Sequence, residues 1–487
     1  MITRRSFLRG STTIVGFGAF AACRSVRRTP PRSPNEEVRV AVAGVRSRGN
    51  AHVRGYLGLP NVRVVAICDV DREVLARRAK EYESDGHPVD THEDLREVLD
   101  RTDVDAVSIA TPNHGHALQA IWACQAGKDV YLEKPVSHNP WEGARIVEAA
   151  RVYERIVMTG TQCRSSSGIA EALAWVRDGG LGPIRLARGL CYKPRPSIGK
   201  VSGPQPVPSS MNYDLWCGPA PLDPLLRERL HYDWHWVFRT GNGDLGNQGI
   251  HQMDIARWAL GEKDLAPRVM SVGGRFGYDD DGDTPNTQVV LLDYDRAPLL
   301  FEVRGLPRDR AAQQESWNAK GMDSYEGARI GVLVHCEQGT LRVPNYTSAI
   351  AVDPDGNELQ RWEGASSHYA HFIDLVRSRR SEDSRADIRE GHVSSALCHL
   401  GNISYRVGRS ADPDGVRATL SDRSEAREAF DRLQTHLDAN GVDLSRTPAT
   451  LGPLLHFDPV TERFEDEDAN RLLRRDDRAP FLVPEKV

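Results

Sequence analysis

Short apolar runs alternate with stretches of helical period between residues 38 and 159, and this alternation restricts the fold more than any other feature of the sequence. The runs predicted to be strands are Val38–Ala43, Val62–Cys68, 105–110, Asp129–Leu132 and 156–159. The stretches predicted to be helices are 49–57, 73–82, 113–126 and 141–153. Strands that alternate with helices predict an α/β fold with a doubly wound parallel sheet, which binds ligands at the carboxyl ends of its strands.

The chain is too long for this sheet to be the whole fold. Its 487 residues exceed what one hydrophobic core usually serves, so we expect two domains and further segments. The first 34 residues hold seven arginines and no acid, which leaves a net charge of -12 for the rest. A net negative charge on residues 35–487 repels a nucleic-acid phosphate backbone, so we expect no nucleic-acid partner. No apolar run approaches the length of a membrane span.

The amino terminus is predicted to be a targeting segment. Arg4 and Arg5 begin a twin-arginine pattern, and a mildly apolar stretch at 14–22 follows it. Cys23 then stands where a lipoprotein is cleaved and acylated. We therefore expect recognition by the twin-arginine export machinery, a periplasmic location and a lipid anchor at Cys23, with a cytosolic protein that begins with a basic, disordered segment as the alternative.

Cysteine and histidine spacing points to no metal site. Eight cysteines are present and none forms a CxxC pair with zinc-ligand spacing. Seven remain when Cys23 is set aside, and an odd number excludes a complete disulfide framework. Cys68 and Cys124 lie inside apolar runs and are predicted to be core residues. His114 and His116 lack a third ligand at a sensible spacing, so we expect no metal.

A dinucleotide-binding loop follows the first predicted strand. The run AGVRSRG at 43–49 keeps Gly44 and Gly49 of the GxGxxG pattern but carries Arg46 in place of the middle glycine. The Arg46 side chain could contact a phosphate group instead. Asp69, twenty residues beyond Gly49 at the end of a strand, can accept both ribose hydroxyls of NAD and repel a 2′-phosphate. The cofactor expected is NAD, although Arg72 nearby leaves NADP open.

Five motifs together resemble one family. They are TPNHGH at 111–116, EKP at 133–135, YDLW at 213–216, GNQGIHQMD at 246–254 and PFLVP at 480–484. The chain from residue 38 onward resembles the Gfo/Idh/MocA family, which is named for glucose–fructose oxidoreductase, inositol dehydrogenase and rhizopine catabolism. The resemblance is to the exported, twin-arginine branch of this family.

This resemblance implies four regions. They are a signal and spacer at 1–34, a Rossmann NAD-binding domain at 35–160, an α/β substrate domain with an open, largely antiparallel sheet at 161–407, and a helix with an extended arm at 408–487. Strands are expected at 289–294, 299–303 and Ile330–Cys336, and helical segments at 369–378 and 389–407 that pack back on the first domain. The charged stretch 459–478 is expected to be solvated or to wrap a neighbouring subunit.

Two residues are predicted to be catalytic. By resemblance, Lys134 reaches the substrate and accepts the hydroxyl proton, since burial beside a positive nicotinamide lowers the pKa of a lysine. His251 is the second proton-transfer candidate. Asn247 stands where the family usually carries an acid, and it can bind a sugar hydroxyl but cannot relay a proton. Asp254, one turn beyond His251, can orient the imidazole or a substrate hydroxyl.

The resemblance assigns the remaining site residues by position. Those expected to bind the cofactor, besides Gly44, Arg46, Gly49 and Asp69, are Arg48, Thr111, Asn113, His116, Glu133 and Gln162. Those expected to contact the substrate, besides Asn247 and Asp254, are Tyr192, Arg195 and His368.

The function expected is oxidation of a sugar, polyol or glycoside by hydride transfer to tightly bound NAD, in a homo-oligomer. Internal recycling of the cofactor, with epimerisation or glycoside cleavage through transient oxidation, is one alternative. A non-catalytic protein that binds sugar or dinucleotide on the same fold is the other, because Arg46 and Asn247 both depart from the family pattern.

Overall fold

The first domain is built on a parallel six-stranded sheet. The structure is a computed structural model and describes residue 33 and residues 36–315 and 317–487, so nearly all of the predicted targeting segment lies outside the described residues. The strands are β1 Val38–Ala43, β2 Val62–Cys68, β3 Asp90–His92, β4 Ala106–Ile109, β5 Asp129–Leu132 and β6 Val157–Thr159. They lie in the order β3-β2-β1-β4-β5-β6, and every neighbouring pair is parallel.

Helices cover both faces of this sheet. They are α1 Arg48–Leu57, α2 Arg72–Ser84, α3 Leu95–Leu99, α4 His116–Gln125 and α5 Pro140–Val152. Polar side chains begin them, since Asp71 accepts from the Glu73 amide and Asn139 from the Glu142 amide. The predicted doubly wound sheet is confirmed. The prediction missed β3, because its three residues are polar and half-exposed or exposed.

The second domain contains a twelve-stranded sheet. In chain order, the elements of this domain from residue 167 to residue 363 are α6 Ser167–Arg177, β7 Ile184–Tyr192, α7 Tyr213–Cys217, α8 Gly243–Asn247, α9 Gly249–Leu260, β8 Arg268–Gly274, β9 Thr287–Leu292, β10 Leu299–Arg304, α10 Arg310–Glu315, β11 Ile330–Cys336, β12 Gly339–Val343, β13 Ser348–Val352 and β14 Glu358–Glu363. The elements after them are α11 His368–Ser378, α12 Ile388–Arg406, β15 Arg409–Ala411, α13 Pro413–Thr419, α14 Ser424–Ala439, β16 Ala449–Leu451, β17 Leu455–Asp458, β18 Arg463–Phe464 and α15 Glu467–Asn470.

This second sheet is largely antiparallel, as predicted. Its main path runs β14-β13-β12-β11-β7-β10-β9-β8-β16-β15, and β7 with β10 is its parallel pair. Met253 of α9 and Leu397 of α12 belong to the core on one face, and Leu433 and Leu437 of α14 pack in the core on the other face. The strands expected from the sequence at 289–294, 299–303 and Ile330–Cys336 correspond to β9, β10 and β11.

The two domains share a packed interface. Phe372 and Ile373 of α11 belong to the same core cluster as Val40 and Tyr56 of the first domain. The long helix α12 contacts α5 and β6. The predicted packing of both helices against the first domain is therefore confirmed, and it fixes how the second sheet faces the carboxyl edge of the first.

The cysteines and the length of the apolar helices can be compared with the sequence analysis. All seven cysteines in the described residues are free, and Cys68 and Cys124 are buried as predicted. No helix within the described ranges is both long and apolar enough to cross a bilayer.

Candidate active site

A long cleft lies between the carboxyl edge of the first sheet and loops of the second domain. The segments that follow β1, β2, β4 and β5 line one side, and residues between 215 and 247 line the other. This is the edge at which a doubly wound sheet binds ligands. Most of the residues predicted to bind the cofactor line this cleft, as do Lys134 and Asn247.

The glycine loop after β1 is tightly packed. Gly44 has a φ of +81°, and a Cβ atom there would lie 2.7 Å from the backbone of Ala110 and Thr111. A Cβ atom at Gly49 would lie 2.2 Å from the carbonyl oxygen of Gly44. Both positions therefore require glycine. Arg46, at the position of the missing glycine, is exposed and lines the cleft, and its contact with a phosphate group stays a prediction.

Asp69 occupies the end of β2, beside the glycine loop. Its Oδ2 accepts from the Val45 amide at 2.9 Å, and its Oδ1 accepts from the Asp71 amide at 3.1 Å. Burial raises the pKa of Asp69 to about 6, against the lowering effect of these two amides. The carboxylate is thus held in place by the loop while it lines the cleft.

Lys134 links the end of β5 to the second domain. Its Nζ donates to the carbonyl oxygen of Asn247 at 2.7 Å. Burial lowers the pKa of Lys134, Glu133 opposes this shift, and the positive charge of Arg48 adds to it. A cis peptide bond joins Lys134 to Pro135. The lysine lines the cleft in the environment expected of a group that exchanges a proton.

Glu133 is the centre of a buried network behind Lys134. Its Oε1 accepts from Arg48 Nε at 2.8 Å and Gln162 Nε2 at 3.1 Å, and lies 3.0 Å from His52 Nε2. Burial alone would raise the pKa of Glu133, but Arg48, His52 and Lys134 outweigh it and hold that pKa well below its usual range. The predicted cofactor residues Arg48, Glu133 and Gln162 thus contact one another, and their contact with a cofactor stays a prediction.

His251 lies in the first turn of α9, near Lys134. Burial and the charge of Lys134 lower the pKa of His251 to about 3, so the imidazole is neutral near neutral pH. Among the described residues its buried Nδ1 has no hydrogen-bond partner, and its ring centroid lies 5.0 Å from that of Tyr346. The structure therefore brings both predicted catalytic side chains into one neighbourhood, together with Asn247.

The loop after β4 supplies two of the predicted cofactor residues. Asn113 Nδ2 donates to Asn242 Oδ1 at 2.5 Å, while its own buried Oδ1 lacks a partner in the part of the chain that the structure describes. The Thr111 hydroxyl donates to Gln119 Oε1 at 2.7 Å. An amide oxygen left without a donor at the cleft fits a carboxamide ligand.

His116 is held more tightly than expected. Its Nδ1 lies 2.7 Å from the carbonyl oxygen of Pro135, and its Nε2 lies 2.8 Å from that of Thr111. Contact with a ribose hydroxyl would require one of these approaches to be given up. The imidazole lines the cleft, and its role toward the cofactor stays a prediction.

Tyr192 does not lie at the cleft, which corrects its expected substrate contact. Its hydroxyl donates to Glu302 Oε2 at 2.6 Å and accepts from Arg432 of α14 at 3.2 Å, and the residue is fully buried. Side chains alternate along a strand. Cys191 of β7 belongs to the core beneath α9, so Tyr192 points to the opposite face, which α14 covers.

Asp254 also differs from its expected role. Its carboxylate pairs with Arg164, whose Nε and Nη2 donate at 2.8 Å, and it accepts from the Ser394 hydroxyl at 2.7 Å. The residue is 1% exposed. Its oxygens are thus committed to holding α9 against its neighbours, and they neither contact His251 nor line the cleft.

Arg195 and His368 are buried beside the site without lining the cleft. Arg195 Nε donates to Asp244 Oδ2 at 2.7 Å, and its Nη1 donates to the Tyr232 hydroxyl at 2.7 Å. His368 lies with Nδ1 2.6 Å from Ser165 Oγ and Nε2 2.8 Å from the Thr159 carbonyl oxygen. Both positions support neighbouring segments, and direct substrate contact by either residue stays a prediction.

Several residues near the site were missed by the sequence argument. His52 lies four positions after Arg48 on α1, and this helical spacing could have shown that both reach the same carboxylate. Lys193 donates to Gln248 Oε1 at 2.9 Å, and Gln248 donates to the Tyr346 hydroxyl at 2.7 Å. No local pattern marks this chain of contacts, because its members are 55 and 98 residues apart.

These residues fit a nicotinamide dinucleotide. The two closely packed glycines shape the loop at the start of α1, Asp69 lies at the ribose position after β2, and the Asn113 oxygen is free to accept from a carboxamide. No group of three or more potential metal ligands occurs among the described residues. Fold and site together define a two-domain dinucleotide-binding protein with a half-buried lysine at the interface of the two domains.

Comparison with family models agrees with this class. A model described as an oxidoreductase family with an NAD-binding Rossmann fold matches residues 38–161. The model of the same family's C-terminal α/β domain matches residues 187–295. The chain belongs to the Gfo/Idh/MocA family of oxidoreductases. The predicted family and the NAD-binding first domain are thereby confirmed.

Curated relatives match over part of their length. A protein named glycosyl hydrolase family 109 protein 2, from Shewanella sp. (strain ANA-3), is 35% identical over 174 residues, which are 32% of this chain and 38% of that protein. A levoglucosan dehydrogenase from Pseudarthrobacter phenanthrenivorans is 26% identical over 248 residues, which are 48% of this chain and 54% of that protein. The chain therefore spans between about a third and a half of these relatives' length.

Solved structures share the fold over most of the chain. The WlbA dehydrogenase from Chromobactrium violaceum, in complex with NADH and UDP-GlcNAcA, has a TM-score of 0.56 at 20% identity, with 78% of this chain and 96% of that one covered. A levoglucosan dehydrogenase in complex with NADH has a TM-score of 0.55 at 18% identity, with 74% and 95% covered. At this identity the likeness concerns the fold alone.

Proposed function

We propose that this protein oxidises a hydroxyl-bearing carbon of a sugar, polyol or glycoside by hydride transfer to NAD. The observation that carries the proposal is the placement of Lys134 in the cleft, with its Nζ on the Asn247 carbonyl oxygen and its pKa lowered by burial. A binding module would have no use for a half-buried lysine of lowered pKa at the interface of its two domains.

Lys134 acts as the proton acceptor. In its neutral form Nζ carries a lone pair that can take the hydroxyl proton as the carbon–oxygen bond becomes a carbonyl. The Asn247 carbonyl oxygen holds the amine in position, and the negative charge of Glu133 stabilises the ammonium ion once the proton has arrived. NAD, when bound, supplies a nicotinamide ring that accepts the hydride.

His251 positions the substrate. With a pKa of about 3 the imidazole is neutral, so it can hydrogen-bond a hydroxyl but holds no spare proton near neutral pH. Asn247 lines the cleft, and its side-chain amide offers a donor and an acceptor to a second hydroxyl. This division of roles leaves Lys134 as the principal acid–base group.

A redox-neutral reaction is the second candidate. Relatives at 35% identity carry the name glycosyl hydrolase family 109, which favours glycoside cleavage through transient oxidation. Oxidation to a ketone acidifies the neighbouring C–H bond, so that elimination or epimerisation can follow before the hydride returns. Export by the twin-arginine route to the periplasm, with an anchor at Cys23, belongs to this proposal and rests on the sequence of residues 1–34.

The proposal is tested by adding single sugars, polyols and glycosides to the purified protein and recording reduced-nicotinamide absorbance. We expect at least one carbohydrate to raise the absorbance, and chromatography of the products to separate net oxidation from cleavage or epimerisation. A protein that binds NAD and carbohydrate but gives neither reduced nicotinamide nor a changed sugar would be a binding module, and the proposal would fail.

A further inference from the structure

The last seventeen residues return to the first domain. This segment, residues 471–487, is called the C-terminal strap below. Its Leu473 carbonyl oxygen accepts from the Trp141 amide at 3.2 Å, at the start of α5. Arg475 Nη2 lies 2.9 Å from Glu142 Oε1 and donates to the His114 carbonyl oxygen at 2.6 Å. The strap is thus docked on the chain's own first domain. Most charged residues of the stretch 459–478 are nevertheless exposed, as expected of a solvated face, and a wrap around a neighbouring subunit stays a prediction.

The strap also binds residues 214–219, a short segment at the cleft that is called the cover below. Arg478 Nη1 donates to Asp214 Oδ1 at 2.7 Å, and the Arg478 amide donates to the Pro219 carbonyl oxygen at 3.0 Å. Leu215, Trp216 and Pro219 of that segment line the cleft. The strap therefore holds the cover in place through Arg478.

Phe481 carries the strap into the cleft itself. The residue is 4% exposed, lines the cleft, and lies with its ring centroid 6.4 Å from that of Trp122 on α4. The Arg478 guanidinium lies 4.9 Å from the centre of the Phe481 ring and Arg96 lies 5.8 Å from it. An aromatic ring fixed on three sides by its neighbours presents a rigid apolar surface.

The position of Phe481 indicates what this surface would contact. Asp69 follows β2, at the position expected to hold the ribose, and Lys134 follows β5, three places further along the first sheet. The lining shared with Phe481 is apolar and includes Leu95, Leu118 and Trp122. These apolar residues cluster with Phe481 and line the same cleft as the Asp69 carboxylate, and such a wall suits a purine base, which stacks on aromatic side chains.

We propose that the C-terminal strap is a cofactor-binding element, in which Phe481 forms the outer wall of the adenine pocket and retains the dinucleotide. The inference rests on the NAD-binding first domain of the family and is independent of the reaction proposed for Lys134. A dinucleotide seated under the strap cannot leave by its adenine end until the contacts of Phe481 and Arg478 open.

The test compares Phe481→Ala with Leu482→Ala, a matched neighbour whose side chain is 53% exposed. Exchange of bound NAD for isotopically labelled NAD is followed first. We expect exchange from Phe481→Ala to be roughly threefold to tenfold faster than from the wild type, in keeping with the loss of one aromatic contact. Leu482→Ala should exchange at the wild-type rate.

A competition experiment then locates the effect. Nicotinamide mononucleotide lacks the adenosine half, whereas ADP-ribose keeps it. In Phe481→Ala the mononucleotide should become roughly threefold to tenfold more potent relative to labelled NAD, while ADP-ribose keeps its relative potency. An unchanged relative potency of the mononucleotide overturns the proposal, whatever the enzyme does to sugars.

A second variant covers the case in which Phe481→Ala does not fold. Arg478→Gln removes the pairing with Asp214 and the guanidinium contact with the Phe481 ring, but it keeps the ring itself and its packing against Trp122. It should speed NAD exchange in the same direction and leave the relative potency of the mononucleotide within about twofold of the wild-type value. Wild-type exchange rates in this variant would show that the strap does not hold the cover, and would also overturn the proposal.

Discussion

Lys134 is surrounded by charges of both signs, and their balance supports its proposed role as a proton acceptor. Glu133, its neighbour in sequence, favours the ammonium form, while burial and Arg48 favour the neutral amine. The net effect lowers the pKa of Lys134, so the fraction of neutral amine rises with pH through that lowered value. An oxidation that uses the neutral amine should therefore become faster as pH rises toward that pKa and level off above it.

Lys134→Ala should abolish turnover while NAD remains bound. Loss of one acid–base group costs about 10²–10⁴-fold in rate. Lys200→Ala is the matched control, because Lys200 is exposed and pairs with Asp279 on the surface. Turnover is measured by sugar-product formation and NAD content by absorbance after gel filtration. Near-normal activity of Lys134→Ala would move the proton-transfer role to His251.

We predict that Asp69 sets the choice between NAD and NADP. Its carboxylate has a pKa of about 6 in the ligand-free cleft, because burial outweighs the two amides that it accepts from. Above that pH the negative charge repels a 2′-phosphate, and below it the repulsion is lost as the carboxyl group takes up a proton. The wild type should bind NAD better than NADP by calorimetry near pH 8, and this preference should shrink toward pH 5.

Asp69→Asn and Asp69→Ala separate charge from shape in this prediction. Asparagine keeps the shape and removes the charge, so Asp69→Asn should show a weaker preference for NAD that no longer depends on this group's titration. Asp69→Ala also removes the ribose acceptor and should erode NAD affinity further. Equal or tighter binding of NADP by the wild type near pH 8 would contradict the assignment.

At the scale of single elements, the glycine loop tolerates an added side chain poorly, because its glycines pack against the backbone. Gly44→Ala would force a Cβ atom to 2.7 Å from the backbone after β4, in a residue with φ of +81°. Gly86→Ala is the matched control, since Gly86 has φ of +82° and a Cβ atom there would meet nothing within 4 Å. The control should lose about 1 kcal/mol of unfolding free energy.

Gly44→Ala should lose more stability than Gly86→Ala and should also lose NAD binding. The extra loss comes from the clash with the backbone of Ala110 and Thr111, which directly follow β4, the strand next to β1. Chemical denaturation gives the unfolding free energies, and calorimetry gives the NAD affinities. Equal losses in the two variants would show that the backbone angle alone, and not the close approach, makes Gly44 necessary.

The strands of the first sheet differ in how well the sequence predicts them. The strands β1, β2, β4 and β5 follow from apolar runs, because a strand buried on both faces needs no alternation. The short polar β3 carries no such pattern, and its pairing with β2 depends on the rest of the sheet. The glycine loop and Asp69 were found because their spacing along the chain is fixed by the fold.

The residues placed wrongly depend on contacts between distant parts of the chain. The prediction put Tyr192 at the pocket, but the alternation of β7 turns it toward Arg432, which lies 240 residues away. It put Asp254 beside His251, but Arg164, 90 residues earlier, takes both carboxylate oxygens. A single sequence does not reveal such pairings, so the direction of a side chain could not be predicted where its partner is remote.

At the scale of the whole molecule, the cleft is lined by three separate parts of the chain. The first sheet provides its floor, Asn247 at the end of α8 holds the Lys134 amine, and the C-terminal strap contributes Phe481. A cofactor enclosed by three segments dissociates only when at least one of them moves. The architecture thus favours slow release of NAD, which bears on where such a protein can work.

The proposed export of the protein makes this slow release necessary. Free NAD is scarce outside the cytoplasm, so an oxidoreductase that released NADH there would stop after one turnover. We expect the purified protein to carry near-stoichiometric NAD(H) that dialysis does not remove. Its reduced-nicotinamide absorbance should rise with one sugar and fall when an acceptor sugar, or the oxidised intermediate itself, takes the hydride back. Rapid exchange with added NAD and sustained release of free NADH would contradict this expectation and indicate an ordinary dehydrogenase.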